Sequence, residues 1–204
     1  MIYLSGHVRP ELVGLRPDLG FLVTPQMGNR LDYAAGPWAI DNGCFTLGAR
    51  FDLRIYFFFL NDRRRHAHHC LFAPAPDVVG DAAATLVRSR PVLARIRGYG
   101  FKAAFVAQDG LTDPPWDEFD ALFIGGSTEF KLSHQARDLV DAANARGKWT
   151  HMGRVNSETR LRTAAMWGCN SADGTFLKFA PDTNVPRLLA WLDSLNRQPE
   201  MVLA

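Results

Sequence analysis

The sequence predicts an α/β protein: a compact (β/α)8 barrel, trimmed relative to common barrels, with residues 1–204 forming a single domain. Three observations predict it. Short β-prone runs recur about eight times along the chain. Stretches with helical spacing fill several of the intervals, and polar residues collect where the runs end.

The β-prone runs lie at residues 3–5, 21–24, 38–40, 71–73, 103–107, 121–124 and 149–152, with an eighth around Ser171. Helical spacing covers 81–97, 133–145, 157–167 and 184–196. Alternation of strand and helix implies a parallel sheet, because a parallel pair needs a long crossover. Helix-start signals set the phase: Ser133 precedes an alternating apolar pattern, and Ser157-Glu158 opens a run that Gly168 is placed to stop. The connection across 109–120, with Asp113-Pro114-Pro115, is too short for a full helix. A chain of 204 residues also falls below the ~250 typical of an eight-fold barrel, hence a trimmed one. An open doubly wound sheet would give nearly the same pattern.

Composition bounds the rest. Hydrophobic residues make up 47% and charged residues 22%, a globular balance that argues against disorder or fibres. The opening MIYLSGHVRPELVG lacks a basic region followed by a long apolar stretch, and no run reaches the ~18 apolar residues of a membrane span. A cytoplasmic protein without membrane association is therefore expected. Cys44, Cys70 and Cys169 are odd in number and widely spaced, which points to free thiols rather than a disulfide framework or a zinc ribbon. A net charge of +2 is too mild to establish nucleic-acid binding, although most of the positive charge is arginine.

The polar residues carry the functional signal. Asp41 follows the run 38–40, Asp77 the run 71–76, Gln108 the run 103–107, Gly125-Gly126 the run 121–124, and Asp173 follows Asn170-Ser171-Ala172. Any one of these could be a loop cap, since Asp and Asn favour turns. In a β/α-barrel, however, the carboxyl ends of the strands form one face, so all of them would converge on a single pocket.

These segments resemble a known family. Ile40-Asp41-Asn42-Gly43-Cys44-Phe45 is similar to the Asp-Ser-Gly-Gly-Phe motif of tRNA-guanine transglycosylases, Ala107-Gln108-Asp109-Gly110 to their Gln-Gly turn, and Ile124-Gly125-Gly126 to their Gly-Gly loop. His151-Met152-Gly153, followed by a helix and Gly168-Cys169-Asn170-Ser171-Ala172-Asp173, resembles the Met-Gly segment and the Gly-x-x-x-x-Asp spacing that carries the nucleophile. The order matches over roughly residues 38 to 175. The chain departs from the tRNA enzymes in being shorter and in lacking a Cys-x-Cys-x-x-Cys with a downstream His, so no zinc subdomain and no metal is expected. It looks more like the short DNA-guanine transglycosylases of phages and bacterial genomic islands, which insert 7-deazaguanines into DNA; a phage-encoded protein would work in the host cytoplasm.

The resemblance implies roles. Asp173 is the expected nucleophile at C1′ and Asp41 the carboxylate that manages base protons. Asp77, Gln108, Gly125 and the backbone of Gly126 are the expected readers of guanine, whose N1–H and 2-amino group donate beside the O6 acceptor. Asn42, in place of the usual serine, and Met152 complete the expected substrate contacts. Arg154 and Asn156, after the seventh strand, lie where barrels often bind phosphate. No organic cofactor is required. The expected partners are DNA, ahead of tRNA, and a 7-cyano-7-deazaguanine (preQ0)-like base, with room for a helicase or ATPase that opens the duplex, since a paired base hides its glycosidic bond. The same residues would also suit a tRNA enzyme or an N-glycosidase. A rival of another class is an inactive barrel serving as a nucleic-acid-binding module.

Other features have plainer readings. Arg63-Arg64-Arg65 is either a phosphate contact or a solvated loop. His66-Ala67-His68-His69-Cys70 invites zinc, but as an extended segment it would send His68 and His69 to opposite faces. Glu129 and His134 could face the pocket or cap the next helix. Trp38, Trp149 and Trp167 are expected in the core.

Overall fold

The computed structural model describes residues 1–26 and 32–197; the expected domain span of 1–204 reaches beyond them. Eight parallel strands form the sheet: β1 (Ile2–Ser5), β2 (Leu19–Val23), β3 (Trp38–Ile40), β4 (Ala73–Pro74), β5 (Ala103–Ala107), β6 (Ala121–Ile124), β7 (Trp149–Met152) and β8 (Ser171–Gly174). Their order is β3-β2-β1-β8-β7-β6-β5-β4. The two ends of this order meet, because Ile40 N–H donates to Phe72 O at 3.0 Å and Leu71 N–H to Trp38 O at 2.9 Å. Trp38 and Cys70 form the corresponding parallel bridge. The sheet is thus a nearly closed barrel and not the open doubly wound alternative.

The helices are α1 (Cys44–Leu47), α2 (Leu53–Arg63), α3 (Ala82–Gly98), α4 (Thr128–Lys131), α5 (His134–Ala145), α6 (Glu158–Met166) and α7 (Pro181–Arg197). Side-chain caps fix where several begin: Asp81 accepts from Ala84 N, Ser133 from Ala136 N and Ser157 from Arg160 N. Each cap satisfies an orphan N–H of the first turn and is worth about 0.5–2 kcal/mol. Gly168, at φ 78, ends α6 as the sequence predicts. Between β1 and β2 and between β5 and β6 a single 3-10 turn, Pro10–Leu12 and Trp116–Glu118, stands in place of a helix, and the barrel is trimmed at both.

Before the fourth strand the structure adds one helix and corrects one expectation. Residues 53–63 form a helix capped by Asp52, whose side chain accepts from Arg54 N. The His-rich segment is a 3-10 helix, Arg64–His69, rather than an extended entry to the strand. Consecutive residues of a tight helix are not thrown to opposite faces, and the His68 and His69 rings lie 4.0 Å apart. Even so, no group of three or more His, Cys, Asp or Glu side chains among the described residues could hold a metal. Among the described residues no helix is long and apolar enough to cross a membrane.

Strand alternation divides the core in two. One set faces outward to the helices, including Tyr3, Phe21, Ile40, Phe105, Leu122 and Met152, and meets Leu93 and Ile96 of α3 and Val140 of α5. Full burial of such a side chain contributes about 1.5–3 kcal/mol. The smaller inner set, Leu4, Leu22, Ala39, Phe72, Ala104 and Ala121, fills the barrel axis. What stands above this plug, at the carboxyl ends of the strands, defines the candidate site.

Candidate active site

A cavity of about 340 Å³ opens over the plug, floored by Leu22, Pro74, Val106 and Phe123. That volume lies at the lower end of the ~300–1,000 Å³ common for small-ligand sites. Asp41, Asn42, Asp77, Gln108, Gly125, Gly126, Arg154, Asn156 and Asp173 all line it. Residues from the ends of six strands, β3 to β8, are thereby brought together across more than half of the chain.

One wall is a hydrogen-bonded cradle. Asn42 Nδ2 donates to Asp77 Oδ1 at 2.9 Å and to Ala75 O at 2.9 Å, while its Oδ1 accepts Cys44 N–H at 2.8 Å. Both Nδ2 hydrogens are engaged, so Asn42 braces the wall instead of offering its amide to a ligand. Gln108 Nε2 donates to Asp77 Oδ2 at 2.6 Å, and Gln108 Oε1 accepts Gly80 N–H at 2.8 Å. This leaves Gln108 one N–H, and each Asp77 oxygen a further lone pair. Helix α3 holds the loop from behind: Arg88 Nη1 donates to Asp77 O, Ser89 Oγ to Pro76 O and Thr85 Oγ1 to Val78 O. Burial pushes the Asp77 carboxyl above the ordinary range, opposed by the donors around it, Asn42 first.

Asp41 ends the inward face of β3. Its Oδ1 accepts Gly43 N–H at 2.8 Å, an Asx turn made possible by Gly43 at φ 81. Burial pushes the Asp41 carboxyl up to about 6; the Gly43 N–H opposes this, and the negative charges of Asp173 and Asp77 add to it.

Asp173 closes the other side. Its Oδ1 lies 2.9 Å from His151 Nε2 and accepts Arg154 N–H at 3.3 Å. Among the described residues no donor reaches Oδ2. Asn156 Oδ1 takes Thr175 N–H at 2.7 Å and so ties the β7 loop to the end of β8.

Arg154 sits at the mouth with φ 57, unusual for a residue with a Cβ. Its Nη2 donates to Gly126 O, and its guanidinium lies 4.3 Å from the ring centre of Phe45, which is 59% exposed. Among the described residues it has no carboxylate partner. Nearby Lys131 of α4 is buried, and burial, with Arg154 next, pushes its ammonium down to about 8.

Met152 is the expected contact that lies elsewhere. It pairs with Ala172 and points outward into the layer between barrel and helices, 1% exposed. The strand period puts its neighbours His151 and Gly153 on the inner face instead. Glu129 and His134 do not line the cavity, and Ser133, not His134, caps α5. In the sequence His151 stands only within the Met-Gly segment, and nothing there singles out Lys131. The signal for His151 was the two-residue alternation it shares with Gly153, across from Ser171 and Asp173.

No protein-family model and no curated protein matches the chain. Solved structures do resemble it. Tryptophan synthase from M. tuberculosis in its open form superposes with a TM-score of 0.51 at 18% identity, covering 82% of this chain and 68% of that one. Phosphoribosyl anthranilate isomerase from Thermus thermophilus gives a TM-score of 0.50 at 15% identity, covering 95% and 98% of the two chains. At such identities the likeness is one of fold, and it agrees with the barrel topology above.

Proposed function

We propose that this chain is a pentosyltransferase that exchanges guanine in DNA for a 7-deazaguanine base at C1′. The observation that carries the reading is the meeting of Asp41, Asp77, Gln108 and Asp173 around one cavity. Asp41, Gln108 and Asp173 come from segments that resemble the guanine transglycosylases, Asp77 follows a strand run of its own, and the four arrive from four different strands.

The chemistry follows from the two ends of the cavity. Asp173 Oδ2, which lacks a donor among the described residues, attacks C1′ as the bond to N9 of guanine breaks. The departing base takes the bonding pair and a proton from Asp41. A 7-deazaguanine then enters, gives its N9 proton to Asp41, and attacks C1′, releasing the Asp173 carboxylate. A carboxyl held near 6 suits a group that must give and take a proton near neutrality.

The cradle supplies recognition. Asp77 accepts from N1–H and the 2-amino group, and the remaining N–H of Gln108 faces O6. A base without these partners leaves buried polar groups unpaired, a basis for discrimination of ~10⁴ or more. Arg154 and Asn156 at the rim are the proposed phosphate contacts, with Arg154 supplying the charge. The target nucleotide must be turned out of a duplex or presented single-stranded.

The test is incubation with DNA and, separately, tRNA, each with labelled guanine or 7-cyano-7-deazaguanine, comparing wild type with Asp173→Asn. Label is expected in DNA with the wild type alone. Label in tRNA alone would transfer the reading to the tRNA reaction, and release of free guanine without label entry would make the chain an N-glycosidase. Label in neither polymer with no guanine released would overturn catalysis and favour a binding module.

A further inference from the structure

Under the cavity floor, inside the barrel, runs a buried polar chain. Trp149 Nε1 donates to Ser171 Oγ at 2.9 Å; Ser171 Oγ lies 2.8 Å from His151 Nδ1; His151 Nε2 lies 2.9 Å from Asp173 Oδ1. His151 and Ser171 are fully buried, and the imidazole is held between Phe72 and Phe123, with ring centres 4.8 and 4.5 Å away. In an interior otherwise filled by aliphatic and aromatic side chains, four polar groups in series need a reason. A buried polar group is costly unless paired, and every member here is paired.

A direction follows from the two ends of the chain, an indole that only donates and a carboxylate that accepts. An indole N–H can only donate, so Ser171 Oγ accepts from Trp149 and is free to give its own hydrogen to His151 Nδ1. The Nε2–H of His151 then faces the carboxylate. The opposite tautomer would set the lone pair of Nε2 against Asp173 Oδ1. Register produces this arrangement: Trp149, His151 and Gly153 share the inner face of β7, Ser171 and Asp173 that of β8, and His151 is the direct partner of Ser171.

We infer that His151 is a positioning residue for Asp173, holding Oδ1 through Nε2–H so that Oδ2 is presented to the cavity, with Ser171 and Trp149 setting the ring's tautomer. The geometry parallels the way a second partner orients a catalytic or metal-bound imidazole, with the roles reversed: here the imidazole orients the carboxylate. Because Asp173 and Ser171 are two residues apart on one face, a single ring bonds both. A pivot about the Asp173 Cβ–Cγ bond would otherwise interchange the two oxygens.

This inference rests on the transglycosylase reading for its kinetic test, so a second readout independent of activity accompanies it. His151→Phe keeps an aromatic ring between Phe72 and Phe123 and removes both nitrogens. We expect the folded variant to lose ~10²-fold in kcat, the cost of misplacing a reacting group, with KM for the incoming base nearly unchanged. His151→Gln, which can return an N–H toward Oδ1, should recover much of the loss, and Ser171→Ala should show a smaller loss. A merely structural role would lower stability in all three without the split between kcat and KM or the rescue. Full kcat in folded His151→Phe, with Asp173→Asn inactive, overturns the inference; if His151→Phe does not fold, full kcat in Ser171→Ala together with none in His151→Gln does so.

The independent readout is ring ¹⁵N NMR of wild type and Asp173→Ala. The inference expects a protonated Nε2 in the wild type whose proton resonance moves, or is lost to exchange, when the carboxylate is removed. An Nδ1–H tautomer in the wild type, or an unmoved Nε2–H resonance in Asp173→Ala, overturns it whatever the activity. No exchange by the wild type with the expected NMR result would overturn the transglycosylase reading and leave the His151–Asp173 pairing standing.

Discussion

Gln108 Nε2 lies 2.6 Å from Asp77 Oδ2, so the proposed base-reading carboxylate is bound to the proposed base-reading amide. Asn42 holds the other oxygen at 2.9 Å. The cradle is therefore ordered by the protein's own hydrogen bonds, to which a base would add. Preorganisation of this kind lowers the cost of binding.

Gln108→Glu tests the cradle. It places a second carboxyl against a buried one whose acidity is already reduced by burial. At low pH the two can share a proton; as pH rises they must both ionise, and like charges at that distance repel. We expect ~1–3 kcal/mol of lost stability near neutrality, growing from pH 5 to pH 8, together with loss of guanine exchange. Urea unfolding at the two pH values measures it. A pH-independent loss would place the cost in packing.

Asp41→Asn is expected to stabilise the protein while abolishing exchange. The Asp41 carboxyl is raised to about 6 in the fold from its ordinary 3.8. A group with a raised folded value binds its proton more tightly when folded, so its favourable contribution is complete below about 4 and is lost as pH rises through 6. At pH 7.5 the ionised carboxylate thus costs on the order of 2–3 kcal/mol relative to acid. Asn avoids that cost and can still accept Gly43 N–H. Thermal melts should show a higher Tm for the variant at pH 7.5, by ~2–4 °C per kcal/mol, and a gain about a third as large at pH 4.5. An equal gain at both values would show that ionisation is not its source.

The barrel was legible because its strands end in residues that cannot stay in a sheet interior unnoticed. Asp41, Asp77 and Gln108 each break an apolar run, Asp173 follows the small-residue stretch Asn170-Ser171-Ala172, and closure of the sheet makes these positions coincide. Ser133 and Ser157 marked helix starts for a local reason, since their hydroxyls bond the first turn. Helix α2 was missed although Asp52 caps it, because Ile55, Tyr56, Phe57, Phe58, Phe59 and Leu60 are apolar on every face. Ile55 and Phe58 remain exposed, so no helical stripe is written into the segment. Met152 and His151 were misjudged together: a motif names adjacent residues, but a strand shows only alternate ones to a site. Which of the two faces inward depends on pairing with Ala172 and Ser171, and that is a tertiary fact.

Gly125→Ala should damage recognition through Gln108. A Cβ there would lie 2.8 Å from Val106 Cγ1, 2.9 Å from Gln108 Nε2 and 3.1 Å from Ala107 O, so the amide must leave Asp77 or the strand must move. We expect at least a tenfold rise in KM for the incoming base, with ~1–3 kcal/mol of lost stability. Gly110→Ala is the control: at φ 83 it is strained by a side chain, but its Cβ would meet nothing within 4 Å. It should lower stability and leave KM alone. Equal effects on KM would deny Gly125 a special role.

Arg154→Gln addresses the acceptor. The guanidinium rests on Phe45 and bonds Gly126 O, and among the described residues no carboxylate neutralises it. Lys131 is close enough for the two charges to repel, and burial first, then Arg154, pushes the Lys131 ammonium down to about 8. A charge in that condition at a cavity mouth is suited to a phosphate, and each phosphate neutralised releases condensed counterions. Binding to a guanine-containing oligonucleotide, followed by fluorescence anisotropy at several salt concentrations, should give a log–log slope shallower by about 0.7 for a single strand or 0.9 for a duplex in the variant. Loss of affinity with an unchanged slope would mean that Arg154 holds the Gly126 loop and touches no phosphate, and the acceptor's backbone would then have to be anchored by another part of the rim.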